Sequence, residues 1–144
     1  MTICIVKSEF NKDLVEQLYQ SALKELKKRV QGPKFFSLSV PGACEIPQAI
    51  NLILDQKQAD AVLALGVIIR GKTAHFNFLQ NFLQIALWDL QKTYFVPIVF
   101  SVLLLEKRDQ FQDRILRAKQ GVGAILKMLD FNAFYQKNRK GIKK

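Results

Sequence analysis

Apolar and polar positions follow two different periods along the chain, and the two periods alternate. Nearly continuous apolar runs predict four β-strands, at residues 3–6, 35–40, 61–69 and 96–104. Apolar residues spaced three or four positions apart predict helices over 13–30, from residue 45 onward, and over 76–93, 109–119 and 122–134. Strands that alternate with helices indicate an α/β domain. We therefore expect a three-layer fold in which helices flank a four-stranded, mainly parallel sheet.

Turn and cap residues mark the predicted boundaries of the helices. Asn11 is placed to cap the first helix, and Pro47 suits the first turn of the second. The Gly32–Pro33 pair breaks the chain after the first helix, and Gly121 divides the last two helices.

The composition fits one folded domain. With 144 residues, of which 49% are hydrophobic, the chain can bury a substantial core, and we assign residues 1–136 to a single domain. No apolar run is long enough to span a membrane, and no secretory signal opens the chain. Cys4 and Cys44 lie far apart, so we expect a reduced, cytoplasmic protein without disulfides. One histidine and two scattered cysteines argue against a structural zinc site.

The positive charge is concentrated at the end of the chain. The formal net charge is +10, and the tail 137–144 carries five cations and no acid. We interpret this tail as a solvated, frayed terminus; the alternative is a nucleic-acid-binding module that uses it. Elsewhere cations lie beside acids, and no aromatic and basic platform typical of RNA-binding domains is present. A net positive charge is compatible with nucleic acid, a membrane surface or anionic small substrates. We expect small-molecule substrates as partners, and neither nucleic acid nor a membrane.

The unusual short segments of the sequence follow the predicted strands. Residues 7–11 follow the first strand, 41–45 the second and 70–75 the third. The carboxyl ends of parallel strands meet at one edge of the sheet, where open α/β sheets bind their ligands. We therefore expect these three segments to form one site.

The segment 70–75 combines a glycine, two cations, a hydroxyl and the only histidine of the chain. Gly71 permits a close approach to a ligand. Lys72 and Thr73 stand at the start of a predicted helix, where free N–H groups and the helix dipole favour anions. The segment predicts a phosphate site beside His75; a capped helix with a surface histidine is the alternative.

Two other positions carry weaker signals. Glu45 could accept hydrogen bonds from a polyol, or serve only as a dipole partner at a helix start. Phe10 could stack on a flat heterocycle, or belong to the core. Neither residue decides between these alternatives alone.

Taken together, these segments resemble one enzyme family. Between residues 3 and 131 the chain contains, in this order, SEFN, VPGACEIP, ALGVIIRGKTAHF, VPIVFSVL and RDQFQDR. It thereby resembles the 6,7-dimethyl-8-ribityllumazine synthases of riboflavin biosynthesis. The resemblance implies a flavodoxin-like fold and the condensation of 5-amino-6-(D-ribitylamino)uracil with 3,4-dihydroxy-2-butanone 4-phosphate. It implies no metal and no redox cofactor.

The resemblance also implies roles for individual residues. His75 would transfer protons. The pyrimidine and its ribityl chain would contact Phe10, Ala43, Cys44, Glu45, Val67, Ile68, Ile69 and Phe100. The phosphate would be bound by Lys72, Thr73 and Arg114. Of these residues, Phe100 and Arg114 would reach the site from a neighbouring subunit.

The predicted third helix bears on assembly. Apolar residues surround most of the helix 76–93, and its polar stripe consists of the uncharged residues Asn77, Gln80, Asn81 and Gln84. This pattern fits a channel ringed by copies of one helix, so we expect a homopentamer; the alternative is a central helix in a monomer. We do not expect a sixty-subunit capsid, because the chain begins at its first strand, without the family's lead segment.

The chain departs from the family pattern at several positions. Cys44 stands where the family usually has an aromatic residue, Ser101 replaces a usual glycine, and Leu104 and Leu105 stand near the usual threonine pair. The glycine- and lysine-rich segment before the last helix is reduced to 115–121, where Arg117 or Lys119 could supply the usual cation. We favour an active enzyme. The alternatives are a slow enzyme, a non-catalytic flavin-binding, lumazine-binding or shell-forming protein, and an archaeal-type riboflavin synthase.

Overall fold

The computed structural model describes residues 1–32 and 34–139. Its strands are β1 (Thr2–Ser8), β2 (Lys34–Val40), β3 (Ala61–Ile69) and β4 (Ile98–Leu105). Its helices are α1 (Lys12–Arg29), α2 (Ile46–Asp55), α3 (His75–Thr93), α4 (Phe111–Arg114) and α5 (Arg117–Asn138). Short 3₁₀ turns at Ala43–Glu45 and Arg108–Gln110 precede α2 and α4. The four predicted strands and the first three predicted helices are confirmed.

The four strands form one sheet in the order β2–β1–β3–β4, and every neighbouring pair is parallel. The expected three-layer α/β fold is confirmed, with a wholly rather than mainly parallel sheet. Helices α1 and α5 pack on one face, and α2 and α3 on the other. This is the flavodoxin-like strand order, in which ligands bind at the switch point between β1 and β3.

Strand β3 lies at the centre of the fold because both of its faces are covered. It has no polar side chain, and every residue except Ile69 is buried. Leu63 and Leu65 face α1 and α5, whereas Val62 and Ala64 face α2 and α3. Burying one side chain of leucine size stabilises the fold by about 1.5–3 kcal/mol. The buried position of β3 thereby fixes the edge of the sheet at which the carboxyl ends of the strands lie.

The start of α1 lies where the sequence predicts it, but Asn11 does not cap the helix with its side chain. Asn11 is the N-cap residue, with a left-handed φ of 54°, and its side chain makes no capping bond. Its Nδ2 instead donates to the carbonyl oxygen of Val67 at 2.8 Å. Asparagine tolerates left-handed backbone. Asn11 therefore fastens the end of β1 to the end of β3.

The predicted helix break at Gly121 is wrong. Helix α5 continues through Gly121, and the interruption lies between Arg114 and Arg117. A Cβ at Gly121 would clash with Ser101 Oγ and would lie 2.9 Å from Leu63 Cδ1. Ser101 Oγ donates to the carbonyl oxygen of Arg117 at 3.1 Å. Gly121 therefore permits close packing of α5 on the sheet, and no turn is needed there.

The described residues end within the predicted basic tail. Helix α5 includes Lys137 and Asn138, whereas residues 140–144 lie outside the described part of the chain, as does Pro33. Gly32 has the left-handed φ of 60° that suits the predicted break after α1. No helix within 1–32 and 34–139 is long and apolar enough to cross a membrane. The same residues contain no cluster of three metal-ligating side chains.

Candidate active site

A cavity of about 350 Å³ opens at the carboxyl edge of the sheet, where β1 and β3 end. Its lining consists of Ser8, Phe10, Gly42, Ala43, Cys44, Glu45, Val67, Ile68, Ile69, His75 and Leu79. All three segments that the sequence predicts to meet contribute to this lining. The cavity therefore occupies the switch point of the sheet, the position at which this topology binds ligands.

Phe10 stands in the turn between β1 and α1, at the edge of the cavity. The residue is 72% exposed, so the alternative that it belongs to the core is wrong. The turn is held on both sides: the Glu9 N–H donates to the carbonyl oxygen of Val40 at 2.8 Å, and Asn11 is bonded to Val67. An exposed aromatic ring on a fixed turn is suited to stacking on a flat heterocycle.

The segment after β2 forms a second wall. Gly42 leaves room for the Glu45 carboxylate, since a Cβ on Gly42 would lie 3.1 Å from Glu45 Oε2. Glu45 is exposed and takes part in no ion pair among the described residues. Burial, and then the Glu45 charge, raises the pKa of the Cys44 thiol. The wall therefore offers a free carboxylate beside a thiol that stays neutral at neutral pH.

The end of β3 forms the third wall, with Val67, Ile68 and Ile69 lining the cavity. Val67 and Ile68 are buried, and they belong to the cores on opposite faces of the sheet. The carbonyl oxygen of Val67 already accepts the bond from Asn11. The carbonyl oxygen of Val67, a residue expected to contact the pyrimidine, is therefore already bonded within the chain.

His75 is the first residue of α3 and lines the cavity. Its N–H donates to Thr73 Oγ1 at 3.4 Å, and its ring stacks on Phe78 with the ring centroids 6.4 Å apart. No side chain caps the helix at Ala74. The next N–H groups of the first turn have no partner within the helix, so they can serve an anion.

The two cations of the loop before α3 differ in their surroundings. Arg70 Nε donates to Glu106 Oε2 at 2.6 Å, its Nη1 donates to Asn77 Oδ1 at 3.2 Å, and its guanidinium lies 4.4 Å from the centre of the Phe76 ring. Lys72 is exposed and takes part in no ion pair among the described residues. Lys72 and Thr73 lie beside the cavity rather than in its lining.

Phe100 and Arg114 lie at a second cavity, of about 380 Å³, along the outer edge of β4. Its lining consists of Val99, Phe100, Ser101, Val102, Leu103, Leu104, Arg114, Arg117, Gln120, Gly121 and Ala124. No residue is shared between the linings of the two cavities. Within one chain, the structure therefore does not bring Phe100 and Arg114 to His75.

Comparison with known proteins identifies the family. The sequence profile of the 6,7-dimethyl-8-ribityllumazine synthases matches residues 1–133. The chain belongs to the 6,7-dimethyl-8-ribityllumazine synthase family. The resemblance found in the sequence segments is thereby confirmed.

Several relatives carry the name 6,7-dimethyl-8-ribityllumazine synthase, and three of them show the extent of the match. The relative from Methylibium petroleiphilum is 36% identical over 116 residues, which cover 80% of this chain and 72% of the relative. That from Cytophaga hutchinsonii is 32% identical over 111 residues, or 76% and 70% of the two chains. That from Parabacteroides distasonis is 29% identical over 139 residues, or 92% and 87%. The similarity to the lumazine synthases thus extends over most of each chain.

The resemblance to the lumazine synthases did not point to every residue of the site. Ser8 lines the cavity and Asn11 holds two of its walls together. Both lie in the segment 7–11 that the strand pattern placed at the site, but neither was predicted to have its own role there. A usable signal was present for Ser8, which is a polar residue at the end of an apolar strand on the edge where ligands bind. Asn11 gave no such signal, because its bond to Val67 joins residues far apart in sequence.

Proposed function

We propose that this chain catalyses the condensation that forms 6,7-dimethyl-8-ribityllumazine. The amine of 5-amino-6-(D-ribitylamino)uracil forms an imine with the ketone of 3,4-dihydroxy-2-butanone 4-phosphate and releases water. Phosphate is then eliminated, and ring closure releases a second water. The observation that carries this proposal is the single cavity that unites Phe10, Ala43–Glu45, the end of β3 and His75 in a chain of this family.

The cavity walls fit the pyrimidine substrate. Phe10 stacks on the flat ring from the exposed turn after β1. Glu45 forms no ion pair among the described residues, so its carboxylate accepts hydrogen bonds from the ribityl hydroxyls. Ala43 and Cys44 lie beside it. Val67, Ile68 and Ile69 lie along the ring. The first cavity thus holds the larger substrate.

His75 is the acid–base residue of this proposal. An imidazole nitrogen can accept a proton and donate it again, as imine formation and phosphate elimination require. The ring is placed at the start of α3, next to the cavity and beside the phosphate loop. This position lets one histidine serve proton transfers of both substrates.

The phosphate is bound where α3 begins. Lys72 supplies charge, Thr73 supplies a hydroxyl, and the uncapped first turn of α3 supplies N–H groups. Arg70 is not assigned to the phosphate, because Glu106 and Asn77 hold its guanidinium. Arg114 of a neighbouring copy completes the binding set, since Arg114 of the same chain lines a different cavity.

We also propose that the chain is a homopentamer in the cytoplasm. Helix α3 buries Phe76, Leu79, Leu83 and Leu90 against its own subunit. It leaves Phe78, Ile85 and Trp88 more than 60% exposed, with Phe78 and Phe82 stacked in a row from His75. This exposure is the opposite of what the central helix of a monomer would show. Copies of α3 around a fivefold axis would cover these side chains.

The two parts of the proposal have separate tests. Mixing the purified protein with both substrates should produce lumazine absorbance faster than the protein-free mixture; a rate equal to the protein-free rate contradicts the enzyme assignment. Analytical ultracentrifugation should show one species near five times 16.5 kDa. A stable monomer would contradict both the pentamer and the shared site.

A further inference from the structure

Ser8 is the last residue of β1 and one of the two polar residues buried in the described structure. Ser8 is 3% exposed; the other buried polar residue is Ser101, which is 6% exposed. Ser101 has a structural task, since its hydroxyl donates to the carbonyl oxygen of Arg117 at 3.1 Å. A buried hydroxyl without such a partner is costly, because its hydrogen bonds to water are lost. The hydroxyl of Ser8 should therefore also need a hydrogen-bond partner.

The hydroxyl of Ser8 has no hydrogen-bond partner among the described residues, unlike that of Ser101. The described side chains also include no oxygen that is both sealed from solvent and unpartnered. The Ser8 oxygen must therefore reach the space that its residue lines, which is the cavity at the switch point. Gly66 beside it makes room, since a Cβ there would lie 3.1 Å from Ser8 Oγ.

The position of Ser8 selects the part of the ligand that it can contact. Cys4 and Val6, its neighbours of the same alternation, lie in the core on the α2 and α3 face, so Ser8 faces that side. It pairs with Val40, from which the chain leads to the segment Gly42–Glu45. Phe10, the ring-stacking residue of the proposed function, lies at the exposed mouth instead. Ser8 therefore lies on the deep, polyol side of the cavity.

From this placement we infer that the Ser8 hydroxyl forms a hydrogen bond with the ribityl chain of the pyrimidine substrate and of the lumazine product. A serine hydroxyl donates one hydrogen bond and accepts others, which matches the hydroxyl groups of a polyol. The contact places the substrate without taking part in proton transfer. This inference rests on the proposed function and adds a binding residue to it.

The experiment compares two ligands and four proteins. Wild type, Ser8→Ala, Ser8→Cys and Ser37→Ala are titrated with 6,7-dimethyl-8-ribityllumazine and with 6,7,8-trimethyllumazine, which lacks the polyol, and ligand fluorescence is measured. A neutral hydrogen bond has a net value of about 0.5–1.5 kcal/mol, so Ser8→Ala should weaken binding of the ribityl compound about 2- to 13-fold. Ser8→Cys replaces the hydroxyl with a somewhat larger thiol, which forms only weak hydrogen bonds, and should change binding in the same direction. Binding of trimethyllumazine should be unchanged in both variants.

The control variant is Ser37→Ala, because Ser37 accepts a hydrogen bond from Tyr19 and lines neither cavity. It should bind both ligands as wild type does. Equal affinities of Ser8→Ala and wild type for the ribityl compound would overturn the inference, as would equal weakening for both ligands. If wild type makes lumazine and Ser8→Ala binds normally, only the Ser8 contact fails. If wild type neither makes nor binds lumazine, the proposed function fails and the contact fails with it.

Discussion

The cavity between β1 and β3 and the cavity along β4 carry different parts of one predicted site. The first contains an exposed aromatic ring, a free carboxylate and the histidine. The second contains Phe100 with the cations Arg114 and Arg117, and no acid. Strands of the same sheet contribute to both cavities, yet the two linings have no residue in common. Within one chain the predicted site residues therefore fall into two separate half-sites, the first with His75 and the second with Arg114. The site as proposed needs both, and so it needs two copies of the chain.

The two half-sites also differ in how the sheet supports them. Three strand ends and the start of α3 surround the first cavity, and bonds such as Asn11 to Val67 hold them together. The second cavity runs along β4, an edge strand whose outer side pairs with no other strand of the described chain. An unpaired edge is a natural place for a neighbouring copy to dock. The second half-site is therefore the one suited to an intersubunit contact.

The largest effect is expected from His75→Ala, which removes the acid–base group of the first half-site. General acid–base catalysis is typically worth about 100- to 10,000-fold in rate. We expect about 100-fold or less in kcat, because amines and ketones in general also form imines without a catalyst. Steady-state kinetics should show nearly unchanged KM values for both substrates. Wild-type turnover by the purified variant would remove His75 from the mechanism.

A smaller effect is expected from Arg114→Ala in the second half-site. A charge-assisted hydrogen bond to phosphate is worth about 1.5–3 kcal/mol. The KM for 3,4-dihydroxy-2-butanone 4-phosphate should therefore rise about 10- to 150-fold, with the KM for the pyrimidine almost unchanged. Arg117→Ala and Lys119→Ala are measured in parallel, since either cation could carry this role. Equal changes for both substrates, or none for either, would show that Arg114 does not bind the phosphate.

The arrangement of the first half-site could be predicted from the sequence more fully than that of the second. Parallel strands bring their carboxyl ends to one edge, so the segments containing Phe10, Glu45 and His75 could be placed together from the strand pattern alone. Arg114 had no such signal, because a contact across a subunit boundary leaves no periodicity within one chain. Gly121 misled the helix prediction, since its role is close packing against Ser101 rather than a turn. Asn11 was placed correctly as the N-cap residue, but its side chain bonds to Val67 instead of the helix.

The smallest expected effect is on the reactivity of the two thiols. Cys44 lines the first cavity, and Cys4 lies in the core. Burial raises the pKa of Cys4 to about 12, and burial with the Glu45 charge raises that of Cys44. A raised pKa lowers the thiolate fraction at a given pH, so both thiols should react slowly with iodoacetamide at pH 7. Labelling of Cys44 should accelerate continuously as the pH rises toward the raised pKa of its thiol, whereas Cys4 stays unlabelled in the folded protein.

The labelling also reports on the cavity itself. Saturating 6,7-dimethyl-8-ribityllumazine should slow the modification of Cys44, because the ligand would cover this thiol. Peptide mass spectrometry after alkylation assigns the modified cysteine, and Cys44→Ser serves as the unlabelled control. An unchanged rate of Cys44 modification at saturating ligand would place the ligand away from the first cavity.

The most direct test of the shared site mixes two impaired variants. His75→Ala lacks the first half-site and Arg114→Ala lacks the second, so each homo-oligomer is impaired at every site. After co-expression in equal amounts, random mixing places an intact His75 next to an intact Arg114 at about one quarter of the interfaces. At low phosphate-substrate concentration, the mixed oligomer should therefore recover about one quarter of the wild-type rate. A rate no higher than the mean of the two separate variants would contradict a site built from two chains.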